Sequence, residues 1–384
     1  MKKKILVISA GRSDYSRFYP ILENLLNAQN SKLFLYLTLA NFNKTFDYIK
    51  KFPKKLHILK NKYAQKKFKD DPNQIIKNQI LDQEALASHT KKIKPDLMIV
   101  IGDRYEMLIG PMVAIPHNIP TVHFFGGAIT EGAIDELVRH GLTKMSHFHF
   151  VLLDLYKKRL IQLGEEQWRI KKIGIPNLTN LKTFKFKSLE SLSREYKFDF
   201  NKPFVIATFH PVTLELKKIK MQLNALIKTI LSNKINAIIT YPNSDASYNK
   251  IIKELIKKFK DKKKYLIVKN LGEVNYFSLM KHAKLILGNS SSGIVEAASF
   301  KLPAINIGSR QDGKLKPANV IDTGYSVQEI KNGIKKANTK KFLDKVKKLK
   351  NPYASNNNNK KIAKMILSIR PNQKFLRKKF INKN

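Results

Sequence analysis

The sequence predicts an α/β protein built from two Rossmann-like, doubly wound domains, and three observations carry that expectation. Short, uninterrupted apolar runs recur along the chain, and each is followed by a stretch of helical periodicity, the signature of parallel strands buried on both faces. The alternation breaks once, over the polar, basic, proline-bounded segment 174–203, and then resumes. The length of 384 residues suits two such halves at the usual ~150 residues per domain.

Taken in order, Lys4–Ala10 reads as a buried strand ending at Gly11, with a helix over Phe18–Ala28 and a second strand over Leu33–Leu39. A helix over Gln74–Lys92 leads to Pro95 and the apolar run PDLMIVIGD, followed by a helix Tyr105–His117, a strand Thr121–Phe124 and a helix Ile134–Ser146. Phe148–Leu152 and Leu155–Leu163 close the first half at Gly164. The second half reads as strands Phe204–Phe209, Ala237–Tyr241, Tyr265–Val268, Leu285–Gly288 and Ala304–Ile307. Between and after them lie helices Glu215–Leu231, Ser247–Phe259, Asn275–His282, Gly293–Phe300 and Val327–Asn338. The expected domains are therefore 1–178 and 179–351, with 352–384 forming a last helix over Ile362–Ile369 and a basic tail that packs back on the first domain.

Composition narrows the function. The net charge is +44, yet the basic residues are 63 Lys and only 10 Arg, spread along the chain. Lysine is a solvated point charge, whereas base and phosphate recognition favours the arginine fork, so a lysine-rich surface is the expected meaning. A field of this sign still draws in anionic substrates. The chain has no cysteine, which excludes disulfides, thiolate zinc sites and cysteine nucleophiles, and no HExxH or similar ligand spacing suggests a metal. The N-terminal run ILVISA is too short for a signal or a membrane span, so a cytoplasmic location with no membrane partner is expected.

In doubly wound sheets ligands bind beyond the carboxyl ends of the strands. There the sequence places GRSDYS (11–16), GDR (102–104), HFFGGAITEGAIDELVRH (123–140), His210-Pro211 and GNSSSGIVEA (288–297). Asp103 is a site carboxylate or a helix N-cap. Asp135 and Glu136 lie one helical turn from Arg139 and His140, as in a surface salt-bridge ladder or a site. His210 is an acid/base or a core histidine. The 290–293 turn is a serine N-cap or an anion cradle. Four of the ten arginines fall in motifs: Arg12, Arg104 and Arg139 in these, and Arg310 in GSRQDG (308–313). The set describes an enzyme acting on a phosphorylated or nucleotide-linked substrate.

GRSDYS, GDRYEM, HFFGGAITEGAIDELVRH, HPVT and GNSSSGIVEA with GSRQDG resemble, in order, the motifs of the hydrolysing UDP-N-acetylglucosamine 2-epimerases, over residues 4–325. That family includes enzymes feeding sialic, legionaminic and related nonulosonic acid synthesis. The resemblance implies a GT-B arrangement with the site in the interdomain cleft, no cofactor, no nucleic-acid partner and a homo-oligomer, dimer or tetramer. It also implies that UDP and the sugar are bound by Arg12, Ser16, Arg104, Arg139, His140, Ser290, Ser291, Gly293, Glu296 and Arg310. Catalysis is assigned to Asp103, Asp135 and His210. Where the family often reads HIEGGE or HIHGGE, this chain has apolar Phe125 and Ala128; Glu131, a few residues on, is the candidate substitute carboxylate.

The implied chemistry removes the C2 proton while the C1–O bond to UDP breaks. Water then adds to the resulting glycal with inverted C2 stereochemistry, freeing a 2-epimeric sugar from UDP-GlcNAc or its 2,4-diacetamido-2,4,6-trideoxy relative. A non-hydrolysing epimerase and a GT-B glycosyltransferase share much of this pattern, and a basic nucleic-acid-binding protein is the alternative from another class.

Overall fold

The computed structural model describes residues 2–43, 52–64, 71–179, 181–355 and 357–382; the side chains of Arg12, Ser13 and Lys182 lie outside the described set. The chain divides into two units, one of Met1–Ala128, Asp135–Leu181 and Tyr353–Asn384, the other of Ile129–Ile134 and Lys182–Pro352.

The first unit runs β1 (Lys3–Ser9), α1 (Arg12–Leu26), β2 (Ser31–Leu37), β3 (His57–Lys60), α2 (Pro72–Ile93), β4 (Leu97–Ile101) and α3 (Ile109–Ala114). It continues with β5 (Thr121–Phe124), α4 (Asp135–Met145), β6 (Phe148–Val151), α5 (Asp154–Gln162) and β7 (Ile170–Lys172). Among the described residues its sheet is parallel throughout, in the order β3-β2-β1-β4-β5-β6-β7. All five residues of β4 are buried, as a strand covered by helices on both faces requires. Phe18 of α1 meets Phe124 edge-on at 5.0 Å, and Phe124 stacks on Phe150 at 4.6 Å, which ties β5 and β6 to the helix layer.

The second unit holds α6 (Leu189–Tyr196), β8 (Val205–Thr208), α7 (Ile219–Ser232), β9 (Ala237–Thr240), α8 (Tyr248–Lys258), β10 (Tyr265–Val268) and α9 (Gly272–Met280). Then come β11 (Ile286–Gly288), α10 (Ser292–Val295), β12 (Ala304–Ile307), β13 (Val320–Thr323), α11 (Val327–Ala337) and α12 (Lys340–Lys347). Its parallel sheet, in the order β10-β9-β8-β11-β12-β13, repeats the doubly wound pattern. The last helices, α13 (Asn359–Ser368) and α14 (Gln373–Leu376), return to the first unit, where Ile362, Ala363 and Ile366 join its core. The Lys3 ammonium donates to the Ile366 and Leu367 carbonyls (3.0 and 3.1 Å) and to that of Ile369, capping α13.

The expected α/β alternation is present, with instructive differences. The first helix begins at Arg12, not Phe18, because the Asp14 carboxylate accepts the Ala10 and Gly11 N–H groups (2.8 and 2.9 Å) and turns the polar run into a first helical turn. The expected helix Gly293–Phe300 is divided into α10 and a 3-10 turn, Ala297–Phe300. Strands β3, β7 and β13 have no counterpart in the sequence reading. Each lies at or near a sheet edge, is short and half exposed, and so carries no apolar run. Helix α6 sits inside the segment read as a connection, its single fully buried apolar position being Leu192.

Asp82 of α2 shows how the helix layer grips the sheet. Its carboxylate accepts the Tyr36 hydroxyl (2.8 Å) and the Leu39 N–H (2.9 Å), and burial pushes its pKa up to about 6 despite those bonds. A carboxyl whose folded pKa is raised contributes stability that is present below about pH 4 and lost as pH rises through about 6. Between those pH values the parent is therefore expected to lose, relative to Asp82→Asn, on the order of 3 kcal/mol of unfolding free energy. Urea midpoints of both proteins across that range measure it, and parallel curves would contradict it.

Candidate active site

In the first unit the chain leaves β4 through Gly102, whose φ of +82° turns it sharply, and Asp103 follows. The turn is fixed twice. The Gly102 N–H donates to the Phe124 carbonyl (2.9 Å), and the Gly102 carbonyl accepts Nε2–H of His123 (2.8 Å). Burial lowers the His123 pKa to about 3, so the ring is neutral with its proton on Nε2.

Asp103 is held from the other side by α4. Its Oδ2 accepts both Nε (3.0 Å) and Nη2 (2.6 Å) of Arg139, while Nη1 of Arg139 donates to Glu136 Oε2 (2.6 Å) and to the Ala128 carbonyl (3.1 Å). The Arg139 side chain has 0% exposure and Asp103 has 33%, so the arginine faces inward and the carboxylate keeps a path to solvent. Burial opposes the charge on Arg139, but Asp103, Glu136 and Asp135 more than offset it and keep its pKa raised. Glu136 Oε1 pairs with His140 Nε2 at 2.9 Å. The i,i+3 and i,i+4 ladder expected of DELVRH is present, and it encloses a buried clamp on Asp103.

Arg104 lays its fork on Glu106, with Nε to Oε2 at 3.0 Å and Nη2 to Oε1 at 2.8 Å. Ser16 is half-buried on α1, and Arg12 opens that helix with a side chain outside the described residues. Phe125 and Ala128 are both buried. Phe125 adopts φ +73°, a strained conformation for a bulky residue, held by its N–H bond to the Phe150 carbonyl (2.7 Å). Gly127, at φ +81°, cannot carry a side chain: a Cβ would lie 2.6 Å from the Tyr156 carbonyl oxygen.

Glu131 belongs to the second unit. Its N–H donates to the Asp312 carbonyl (3.0 Å), and a Cβ on Gly132 would stand 2.5 Å from the Ser309 carbonyl oxygen, so this segment lies flat on the GSRQDG loop. His210 lies two residues past β8 and is stapled to the residue that follows β11 by a reciprocal pair: its N–H donates to Asn289 Oδ1 (2.7 Å) and its carbonyl accepts Asn289 Nδ2 (2.9 Å). The Asn243 N–H donates to His210 Nδ1 (3.0 Å), which makes Nδ1 an acceptor and leaves the ring proton on Nε2. The Asn289 carbonyl in turn accepts Arg310 Nη1 (3.2 Å) and Gln311 Nε2 (3.0 Å). One asparagine thus joins His210 to Arg310.

The GNSSSG turn differs from the expected helix start. Helix α10 has only four residues, so the dipole contribution is small and the hydroxyls carry the polarity. Ser292 Oγ lies 2.5 Å from the Tyr276 hydroxyl and 3.2 Å from Ser290 Oγ, with Ser291 at the cap position. Gly293 and Glu296 are buried just beyond.

Within its own unit, then, the structure gathers Asp103, Arg139, His140 and Asp135, and separately His210, Arg310, the serine turn and Glu131. Sequence reasoning did not single out His123, Glu136 or Asn289 for the roles they take. His123 and Asn289 did carry a signal, since each is a polar residue at the end of an apolar strand inside a motif. Among the described residues no three His, Asp or Glu side chains could hold a metal ion, and no helix is long and apolar enough to cross a membrane.

The family profile described as UDP-N-acetylglucosamine 2-epimerase matches residues 26–367. The chain belongs to that family. It is therefore an enzyme of the epimerase kind, and relatives sharing about a third of its residues are named as hydrolysing. The GDP/UDP-N,N'-diacetylbacillosamine 2-epimerase (hydrolyzing) of Campylobacter jejuni is 35% identical over 344 residues, covering 89% of each chain. The UDP-N,N'-diacetylbacillosamine 2-epimerase (hydrolyzing) of Legionella pneumophila is 34% identical over 284 residues, covering 74% of each. The fold is that of the Neisseria meningitidis UDP-GlcNAc 2-epimerase solved with UDP-GlcNAc, with a TM-score of 0.76 over 96% of this chain and all of that one at 15% identity.

Replacing Arg139 by Met removes the buried guanidinium that Asp103 and Glu136 share. The expected cost is roughly 3 kcal/mol of unfolding free energy, at the low end for a broken buried pair because Asp103 retains some solvent. Chemical denaturation of Arg139→Met against the parent measures it, and an unchanged midpoint would refute the clamp.

Proposed function

We propose that this enzyme is a hydrolysing 2-epimerase of UDP-linked 2,4-diacetamido-2,4,6-trideoxy sugars, releasing UDP and the free manno-configured sugar for nonulosonic acid synthesis. The observation that carries the reading is Asp103. It is a carboxylate just after a fully apolar strand, paired with a buried arginine and still open to solvent. The names of the two relatives at a third identity favour the diacetamido substrate over UDP-GlcNAc.

In this reading an ionised carboxylate, Asp103 or Asp135, takes the C2 proton as the electron pair moves to C1–C2 and the C1–O bond breaks toward UDP. The C2–H bond is weakly acidic, so proton transfer and leaving-group stabilisation share the barrier. His210 presents Nε2–H, a donor suited to the departing phosphate oxygen, and Arg310 and the hydroxyls of Ser290 and Ser291 bind the diphosphate. Gly293 allows the turn and Glu296 contacts the ribose. Arg104 and Ser16 are the described first-unit residues that the family pattern assigns to the nucleotide. His140 lies beside the sugar, and Arg139 acts through Asp103 as a positioning residue. A proton from solvent then returns to C2 from the opposite face, and water supplies the C1 hydroxyl.

Incubation with the UDP-diacetamido sugar in D2O should release UDP in step with a free sugar carrying one deuteron at C2, read by mass spectrometry. Intact substrate at high enzyme, or accumulation of a UDP-linked epimer, would overturn the hydrolysing reading.

Glu131 is proposed to supply the carboxylate missing at Phe125 and Ala128. A general acid or base contributes roughly 10²–10⁴-fold in rate, whereas a charge near the start of a helix contributes well under ~1 kcal/mol of stability. Glu131→Gln is therefore expected to fall toward the turnover of Asp103→Asn with an unchanged melting temperature. Retention of more than about a tenth of parent turnover would remove Glu131 from the chemistry.

A further inference from the structure

The basic C-terminal tail is far better anchored than a solvated end requires, and its anchor is the helix that clamps Asp103. Lys378 donates to the carbonyls of Thr143 (2.8 Å) and Lys144 (2.8 Å) in the last turn of α4 and to that of Ser146 (2.6 Å) just beyond it, where the helix has few N–H partners of its own. A cation there also opposes the negative pole of the helix. The same ammonium lies 2.8 Å from Oε2 of Glu165, whose side chain has 0% exposure. Around it the tail is pinned by Arg169, a fully buried guanidinium that donates to the carbonyls of Phe375 (2.8 Å) and Arg377 (2.9 Å). A further pin is the Ile381 N–H, bound to the Gly164 carbonyl at 3.0 Å.

From Glu165 a second line leads to the same turn. Oε2 of Glu165 lies 3.2 Å from His149 Nε2, the His149 and His123 rings meet edge-on at 6.4 Å, and His123 holds the Gly102 carbonyl. Burial lowers the His149 pKa to about 4, so that ring is a neutral donor to Glu165. Glu165 is depressed to about 2, since its bonds to His149, Lys378 and Lys144 outweigh its burial. The groups facing Lys378 are thus Glu165, Lys144, Arg169, His147 and His149.

We propose that Lys378 is a positioning residue for Asp103: by capping α4 it fixes the axial seat of the helix whose Arg139 and Glu136 form the clamp. Helix α4 has the clamp in its first two turns and Lys378 at its far end, so a shift at the cap moves the guanidinium against the carboxylate. Misplacement of a reacting group by about 1 Å can cost up to 10²-fold in rate. The groups assigned to the diphosphate lie outside α4, so kcat is expected to fall far more than substrate affinity.

The inference rests on Asp103 being the reacting carboxylate, and the experiment separates the two. Full-length parent, Lys378→Met and the double variant Lys378→Met/Glu165→Gln are compared for kcat, KM, melting temperature and hydrogen exchange of the α4 amides. In the double variant the orphaned carboxylate is gone, so stability recovers while the cap remains absent. The expected result is a kcat lowered roughly tenfold or more in both variants, KM within about twofold, and faster exchange along α4. Recovery of kcat together with the melting temperature in the double variant overturns the proposal in favour of charge compensation alone. So does parent-like α4 exchange, or failure of both variants to fold, which would make the tail purely structural. An inactive parent overturns the reading of the reaction, whereas the exchange result still judges the cap.

Discussion

A guanidinium with no exposed side-chain surface dictates much of the first unit. Arg139 cannot shed its proton, so a position without water is tolerable only if anions and carbonyls surround it. Asp103, Glu136 and the Ala128 carbonyl meet that demand, and each comes from a different place: the end of β4, the first turn of α4 and the glycine turn after β5. The strand ends and the helix are therefore not free to move independently. The neutral ring of His123, bonded to the carbonyl just before Asp103, completes the frame by fixing the backbone where Arg139 fixes the side chain.

The second unit solves a similar problem without charge. Asn289 has both a donor and an acceptor on one planar group, and it spends them on the two backbone groups of His210. Its own carbonyl orients Arg310 and Gln311. A neutral staple costs less to bury than an ion pair and leaves the local field to the groups that face a ligand. The contrast is physically sensible. One device holds a charge in place with opposite charge, and the other holds backbone with a neutral amide.

The alternation of buried runs and helices was legible because a parallel sheet covered on both faces must be apolar throughout, as β4 is. Edge strands such as β3 and β13 escaped because one side of each meets solvent and their composition resembles a loop. In the site, Asp103 stood out as a charge directly after an apolar strand, and Arg139 as one of few arginines. Which way Arg139 points was not legible, because i,i+3 spacing is the same for a surface ladder and for a buried clamp. Likewise, the run GNSSSG drew attention to its hydroxyls; Asn289 was marked by its place after an apolar strand, but that its amide staples His210 follows only from the pairing of β8 with β11.

Lysine shows where sequence reading stops in this chain. Against 63 of them, Lys3 and Lys378 are unremarkable, yet each is partly buried and caps a helix end with its ammonium. Burial lowers both to about 8, a cost that only a ring of carbonyls or a carboxylate can offset. Capping by a lysine distant in sequence leaves no periodicity and no motif, since the partner carbonyls exist at every residue and only the fold selects which are unpaired. Arginine became informative here because it is scarce. For lysine the abundance that solvates the surface also conceals the few side chains on which internal geometry depends, and only their burial distinguishes them.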